Sequence, residues 1–260
     1  MRIHHLNCGS LTTIERVEGG DARHVVCHCL LIETDAGLAL VDSGLGTHDI
    51  ARPGERLGAD WVTYAGPVLD PAETALRQVR RLGHSPSDVR HIILTHAHND
   101  HMGGLSDFPE ATVHLHRTEH ATLDPDDAQL AHGPRWSTYG DGGDEWFGFA
   151  GARPLPGLPP EIVVFPLGGH TPGHAGVAVN AGDRWLLHAG DTYFYHGEID
   201  RPEPVTHPLM QLVQDGGETD RALRLDNVAR LRELARTRGD EVEVFSAHDP
   251  WEFGRLSSVS

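Results

Sequence analysis

Short apolar runs bounded by turn residues recur along the chain and predict a series of β-strands. The predicted strands are residues 24–33, 38–44, 91–94, 111–116, 161–167, 175–180, 184–190 and 242–248. The turn sequence TDAG at 34–37 joins the first two strands, which predicts a hairpin. Predicted helices lie between the later strands, and the chain thus divides into two similar halves. This order favours two sheets packed together, with helices on the outside.

Two stretches have the apolar spacing of three and four residues that is typical of helices. The first opens at Asp70, which is placed to cap it, with Pro71 in the first turn and Glu73 as a reciprocal cap. Its predicted buried stripe is Leu76, Val79 and Leu82, before Gly83. The second helix is residues 220–236, with a predicted inner face of Leu225, Val228, Leu231 and Leu234 or Ala235. A short helix is expected after 111–116.

The segment 133–160 is rich in glycine, proline and aspartate, yet it carries many aromatic residues. They are Trp136, Tyr139, Trp146, Phe147 and Phe149. We expect a structured loop without a regular helix or strand, because so many rings must pack against something. Two interpretations remain open, namely one wall of an acyl-binding cleft, or a cluster that holds the loop to the sheets or to a second subunit.

Composition is that of an ordinary globular protein, with 38% hydrophobic and 23% charged residues in 260. We expect a single domain over 1–260. The formal charge is −17 and no lysine is present, which argues against nucleic acid or membrane as a partner. The N-terminal residues lack the apolar stretch of a signal peptide, so a cytoplasmic location is expected. The oligomeric state is open, and a homodimer is one option.

The chain contains three cysteines, Cys8, Cys27 and Cys29. An odd and sparse set does not predict a disulfide framework. Cys27 and Cys29 alternate with His28 in a predicted strand, so both thiols are expected on one face. Two interpretations follow, a Cys-His-Cys zinc site or, more commonly, buried free thiols.

The stretch LTHAHNDHMGG at 94–104 places three histidines and an aspartate within six positions. They are His96, His98, Asp100 and His101. Further histidines and an aspartate follow later strands, in GGHTPGH (168–174), LLHAGD (186–191) and FSAHD (245–249). Burying such groups without partners costs free energy, and a shared metal ion removes that cost. Loops at strand ends can aim side chains at one point, so together these residues predict a metal site.

The motif THAHNDH resembles the T-H-x-H-x-D-H signature of the metallo-β-lactamase superfamily, and GHTPGH, AGD and a late histidine match its later motifs in order. The resemblance extends from the predicted hairpin to the last predicted strand. It implies an α/β fold, the αβ/βα sandwich, in which two mixed β-sheets are flanked by helices. Within the superfamily, the chain is most similar to N-acyl homoserine lactonase-like and glyoxalase II-like members.

The resemblance also implies a ligand set for two divalent metal ions. One ion would be held by His96, His98 and His170, the second by Asp100, His101 and His248, with Asp191 bridging both. His174 would support the site, while Asp42 and Gly44 match a turn near the metals, with Asp42 orienting a ligand. Imidazole and carboxylate ligands favour zinc, with iron, manganese or cobalt as alternatives.

The activity implied is opening of a lactone or another small carboxylic ester by attack of a metal-bridging hydroxide, with Asp100 and Asp191 as catalytic residues. Lactonases of this kind carry a tyrosine shortly after the bridging aspartate. Here Phe194 occupies that position between Tyr193 and Tyr195, so either tyrosine is a candidate catalytic residue. The alternatives are a glyoxalase II-like thioesterase and a non-hydrolytic diiron or metal-binding module.

Overall fold

Twelve strands form two mixed six-stranded sheets in the computed structural model, which describes residues 1–258. The first sheet has the order β1-β2-β3-β4-β5-β6 and consists of β1 (Arg2–Glu15), β2 (Ala22–Thr34), β3 (Gly37–Val41), β4 (Val89–Ile93), β5 (Thr112–His116) and β6 (Arg135–Tyr139). The second has the order β12-β11-β10-β9-β8-β7 and consists of β7 (Asp144–Trp146), β8 (Phe149–Pro154), β9 (Ile162–Pro166), β10 (Ala175–Asn180), β11 (Trp185–His188) and β12 (Val242–Phe245).

Pairing directions differ between the two sheets. In the first sheet β1, β2 and β3 are antiparallel, and β3 to β6 then run parallel. The second sheet is antiparallel except for the parallel pair β11 and β12. Parallel neighbours end at the same edge of a sheet, so β3, β4 and β5 deliver their following loops to one edge.

Among residues 1–258, eight α-helices flank the sheets. They are α1 (Thr47–Ala51), α2 (Ala59–Ala65), α3 (Ala75–Arg81), α4 (Asn99–Met102), α5 (Arg117–His120), α6 (Pro208–Gly217), α7 (Arg221–Arg238) and α8 (Pro250–Ser257). Within residues 1–258, none of these helices has the length and apolar character needed to cross a membrane. The expected sandwich of two mixed sheets with flanking helices is confirmed.

The main core lies between the two sheets, and the alternation of side chains along each strand builds it. On β2, Leu30 and Ile32 are fully buried and pack with residues of the second sheet such as Val164 and Phe245. Leu31 belongs instead to a separate cluster under α3. One strand therefore supplies cores on both of its faces, which explains why its sequence is apolar almost without interruption.

The segment 133–160 is more regular than the sequence predicted. It contains β6, β7 and β8, and the expectation of an irregular loop is wrong. Trp146 stacks on Phe165 with 5.1 Å between ring centroids, and Phe149 lies 4.9 Å from the same ring. Glycines interrupt the alternation of these strands in the sequence. The rings of Trp146, Phe147 and Phe149 belong to the core beneath α7.

Three other sequence predictions needed revision. The first strand, β1, has no counterpart among the predicted strands. Asp70 caps a 3₁₀ turn, whereas α3 begins after its own cap, Thr74. In α7, Leu225 is 46% exposed and Arg224 is buried in its stead. The Arg224 guanidinium forms an ion pair with Glu218, which offsets the cost of burying its charge.

Candidate metal centre

Four strand ends converge at one edge of the sandwich. The loop after β4 carries His96 and leads into α4, and the turn between β9 and β10 carries His170. Asp191 follows β11, and His248 follows β12. Each side chain comes from a loop anchored to a strand, so the sheets fix its position with little freedom.

The first group of side chains at this edge consists of His96, His98, His170 and Asp191, whose ligand atoms all lie within 4.8 Å of one another. Nε2 of His170 lies 3.0 Å from Nδ1 of His98 and 3.3 Å from Oδ2 of Asp191. Nε2 of His96 lies 3.5 Å from the same carboxylate oxygen. These spacings are close to the ~3.4 Å that separates ligand atoms around a tetrahedral zinc ion.

A second group consists of His101, His248 and Asp191. Nε2 of His101 lies 3.3 Å from Oδ1 of Asp191, and Nε2 of His248 lies 3.2 Å from it. Asp100 Oδ2 lies 3.6 Å from Nε2 of His248. Asp191 is thus common to both groups. Its Oδ2 lies near His96 and His170, its Oδ1 lies near His101, and Nε2 of His248 lies 3.2 Å from both oxygens.

Burial and the shared Asp191 carboxylate determine the ionisation states of the side chains at this edge. Burial lowers the pKa of His96, His98 and His170, which keeps their imidazoles neutral with lone pairs available. Burial also works against ionisation of Asp191, yet His248 and the other histidines hold its pKa well below the usual range. The first group therefore offers neutral imidazoles around a carboxylate anion, the ionisation states that bind a divalent cation. In the second group the Asp191 carboxylate raises the pKa of His101 and of His248 against the effect of burial, so a cation binding there would displace protons from these two imidazoles.

Unpaired buried atoms are a further indication that this donor set fits a pair of divalent metal ions. Nε2 of His96 and Oδ1 of Asp191 are buried and have no hydrogen-bond partner within residues 1–258. Such orphaned atoms are costly unless a cation satisfies them. Imidazole nitrogens and carboxylate oxygens are ligands of zinc and of neighbouring transition metals.

Asp42 and the Val26 carbonyl orient two of the candidate ligands. Asp42 accepts hydrogen bonds from Nδ1 of His101 at 2.8 Å and from the Thr95 backbone N–H at 2.8 Å. Nδ1 of His248 donates to the Val26 carbonyl at 2.8 Å. Because each Nδ1–H is engaged in this way, Nε2 of both histidines is left free to face Asp191.

Comparison with known proteins places this geometry in a family. The model of the Metallo-beta-lactamase superfamily matches residues 22–248. The chain belongs to the metallo-β-lactamase superfamily. A probable metallo-hydrolase of Mycobacterium tuberculosis is 42% identical over 260 residues, covering 96% of this chain and 81% of the relative. Together these findings make the chain a superfamily hydrolase.

Lactonases are among the superfamily members to which the chain is similar. The N-acyl homoserine lactonase AttM of Agrobacterium fabrum is 30% identical over 125 residues, which cover 46% of this chain and 47% of that protein. A solved N-acyl homoserine lactone hydrolase, with the product N-hexanoyl-L-homoserine at its catalytic metal centre, has a TM-score of 0.68. It is 20% identical and the match covers 97% of this chain and 95% of that one, so the likeness shows a shared fold.

Two supporting residues of this superfamily site lay outside every sequence motif. Gln214 of α6 accepts from Nδ1 of His170 at 3.0 Å and donates to the Asp191 carbonyl at 2.9 Å. Glu119 of α5 accepts from the backbone N–H groups of Ala97 and Gly173, both at 3.0 Å. Each one ties two ligand-bearing loops together. Their partners are distant in sequence, so no local signal marks them.

His174 and the turn before Asp191 form a second support. Nε2 of His174 accepts from the Asp191 backbone N–H at 2.9 Å, and its Nδ1 donates to the Leu167 carbonyl at 3.0 Å. Gly190 has φ +53°, and a Cβ there would lie 2.4 Å from Nε2 of His174. Only glycine fits this close approach, which positions the Asp191 side chain.

Neither candidate tyrosine reaches the metal edge, which corrects the expectation for Tyr193 and Tyr195. The Tyr193 hydroxyl donates to Glu252 at 2.9 Å, and the Tyr195 hydroxyl donates to Glu18 at 3.2 Å. The two do alternate around Phe194, but it is Phe194 that faces the site, with its ring 5.1 Å from that of His248. Both hydroxyls already have carboxylate partners, which keep them turned away.

A cleft of about 710 Å³ opens above the candidate ligands. Phe194 and five of the candidate ligands line its floor, namely His98, Asp100, His170, Asp191 and His248. Helices α2 and α6 supply most of its walls, and β1 and β2 supply the rest. The apolar wall residues are Leu11, Val25, Trp61, Tyr64, Ala65, Leu209, Met210, Leu212 and Val213. No residue of 133–160 borders this cleft in the part of the chain the structure describes, so the prediction that this segment forms a cleft wall is wrong.

Proposed function

We propose that this chain is a dinuclear metal-dependent hydrolase that opens a lactone or another small carboxylic ester. The observation that carries the proposal is the pair of ligand groups sharing Asp191 at the floor of an apolar cleft. His96, His98 and His170 would hold one ion, and Asp100, His101 and His248 the other, with Asp191 between them.

When bound, two divalent ions would supply hydroxide at neutral pH and polarise the carbonyl of an ester. We propose zinc, with iron, manganese or cobalt as alternatives, because the ligand atoms are nitrogen and oxygen. The chain itself contributes fixed positions: Asp42 holds His101, and Gln214 holds His170. This preorganisation avoids the cost of rearranging ligands during the reaction.

Asp100 is the candidate proton carrier. It is 9% exposed and borders the cleft, so its carboxylate faces the space where substrate would lie. From there it can take a proton from the attacking water and pass it to the oxygen that leaves the opened ester. Asp191, 2% exposed, contributes negative charge that keeps the centre from retaining a carboxylate product too tightly.

The lining of the cleft favours an uncharged ester with an apolar group. Within residues 1–258 no arginine borders the cleft, and the chain contains no lysine. A substrate with several anionic groups, such as a glutathione thioester or a phosphodiester, would therefore find no cationic partner. An acyl chain would instead pack against Trp61, Tyr64 and Leu212. The product in the related lactone hydrolase structure is an N-acyl homoserine.

Metal analysis together with a substrate panel tests the proposal. We expect two metal ions per chain and faster hydrolysis of an N-acyl homoserine lactone than of a glutathione thioester or a phosphodiester. Asp191→Asn should keep the fold but weaken metal binding and lower turnover by orders of magnitude. One ion or none in the native protein would contradict the dinuclear site. Preference for the thioester would support the glyoxalase II-like alternative, and two redox-active irons without hydrolysis the redox alternative.

A further inference from the structure

Cys27 lies at the metal edge and not with its sequence neighbour His28. Its thiol is 2% exposed and forms a group with Asp100 and His248, whose ligand atoms all lie within 4.8 Å of one another. Cys29 is buried with Cys8 in the cluster under α3. The three thiols are free and buried, as the sequence favoured, and no group of Cys27, His28 and Cys29 forms within residues 1–258.

We propose that the sulfur of Cys27 is a ligand of the second metal ion, the one held by Asp100, His101 and His248. This inference rests on the dinuclear site of the proposed function. It adds a soft donor that the sequence motifs do not contain, because Cys27 comes from β2, whereas Asp100 and His248 follow later strands.

An independent observation points to a cation at this place. Oδ1 of Asp191 is buried without a hydrogen-bond partner and lies 3.2 Å from Nε2 of His248, on the side of the second group. His248 belongs both to the group with Asp191 and to the group with Cys27. One ion beside His248 would thus satisfy the orphaned oxygen and have the sulfur within reach.

The surrounding backbone is built to hold the sulfur in position. The pairing of β1 with β2 has a register shift between Asn7 and Ser10, a bulge of the kind that redirects side chains near active sites. Oδ1 of Asn7 accepts from the Cys27 backbone N–H at 3.2 Å and from the Gly9 N–H at 3.3 Å. A Cβ at Gly9 would lie 3.2 Å from the Cys27 sulfur, so glycine leaves the space that the thiol occupies.

Ligation by a thiolate would change which metal the second position prefers. When the sulfur–metal bond forms, the thiol proton leaves to bulk water and the sulfur contributes one negative charge. Soft sulfur ligands favour zinc or cobalt over manganese or magnesium. The second position should therefore discriminate against manganese more strongly than nitrogen and oxygen donors alone would allow.

Spectroscopy of the cobalt-loaded protein tests this inference. With two Co²⁺ per chain, we expect a near-ultraviolet sulfur-to-cobalt charge-transfer band. The band should vanish in Cys27→Ser and persist in the matched control Cys29→Ala. In the zinc protein, X-ray absorption should show a zinc–sulfur distance of about 2.3 Å. Cys27→Ser should also lose at least about tenfold in affinity for the second zinc.

The outcomes separate this inference from the proposed function. Two bound cobalt ions without a sulfur band, or two zinc ions without a sulfur neighbour, would overturn the role of Cys27 and leave the dinuclear site standing. A protein that binds fewer than two ions would overturn both. X-ray absorption on the unmodified protein keeps the test decisive even if Cys27→Ser does not fold.

Discussion

Two clusters of buried and half-buried histidines occupy different places in this molecule. The metal-edge cluster consists of His96, His98, His101, His170 and His248. The inter-sheet cluster consists of His5, His28 and His188, whose rings surround Phe245 with centroid distances of 4.7 to 5.6 Å. Residue type and depth are similar in both clusters, so neither property by itself distinguishes a candidate ligand.

The difference lies in where the ring nitrogens point. In the inter-sheet cluster, Nδ1 of His5 lies 2.8 Å from Nε2 of His28, and Nε2 of His188 donates to the His28 carbonyl at 2.6 Å. Burial lowers the pKa of His5 to about 4, so this cluster is neutral and pairs mainly with itself and the backbone. At the metal edge the nitrogens instead converge on Asp191. A shared carboxylate, more than burial, is thus what indicates a metal site.

The largest contrast is expected from removing one histidine of each cluster. His98→Ala takes away a ligand, so it should lose much of the bound metal and lower turnover by more than about a hundredfold. His5→Ala leaves Nε2 of His28 without its partner, so it should lower the free energy of unfolding by roughly 1–3 kcal/mol. Metal analysis, steady-state kinetics and denaturant unfolding measure the three quantities.

The comparison would break if the two variants behaved alike. Metal loss in His5→Ala without unfolding would mean that the inter-sheet cluster also holds an ion. Unchanged metal content in His98→Ala would remove His98 from the ligand set.

A smaller effect is expected from the residue that aims a metal-edge histidine. Gln214→Ala removes the acceptor of the Nδ1–H of His170 and the donor to the Asp191 carbonyl. Loss of such a partner weakens metal binding by about 10- to 100-fold. Competition with a chelator measures this change. Gln211→Ala on the same helix is the control, because its side-chain amide donates to Asp215 at the surface. Equal metal affinity in the two variants would show that the imidazole needs no orientation by Gln214.

The sequence predicted the candidate ligands but not supporting contacts such as those of Gln214. The THAHNDH motif gave the candidate ligands because four of them are neighbours in the chain, and strand ends bring His170, Asp191 and His248 to the same edge. Gln214 carries no such signal, because it meets the edge only through folding. The sequence offered Cys27 only as part of a separate site with His28 and Cys29, whereas folding brings it next to Asp100 and His248. Strand alternation favoured Tyr193 and Tyr195 on one side of the chain, yet the two side chains pack in different clusters. It could not predict that Glu252 and Glu18 would hold them away from the cleft.

The strands of the fold likewise include some that the sequence predicted and some that it did not. Strands with uninterrupted apolar runs, such as β2 and β9, were predicted from the sequence. The strands of the 133–160 segment were missed because Gly143, Gly148 and Gly151 break their pattern. Two of these glycines, Gly148 and Gly151, have positive φ, where the backbone turns between or within short strands. The irregular sequence pattern of this segment therefore does not predict its strands, because those strands are defined by their pairing with neighbouring strands.

Aromatic and apolar residues provide the last contrast, in which the expected effect on activity is the smallest. Leu212 of α6 is 65% exposed at the cleft, whereas Trp146 is 9% exposed and stacks on Phe165. If α6 contacts an acyl chain, each added methylene should improve binding by up to about 0.8 kcal/mol until the cleft is filled. Leu212→Ala should flatten this dependence and change the free energy of unfolding by less than about 0.5 kcal/mol. Kinetics with a series of acyl lengths measures the slope.

Trp146→Ala should do the opposite. It removes a large side chain from the core beneath α7, so we expect a loss of about 3–5 kcal/mol in the free energy of unfolding, with the acyl-length slope intact. Leu212→Ala should thus change substrate specificity but not stability, and Trp146→Ala should change stability but not specificity. If Trp146→Ala flattened the acyl dependence while Leu212→Ala did not, the aromatic segment would reach the substrate after all, and the walls assigned to α2 and α6 would be incorrect.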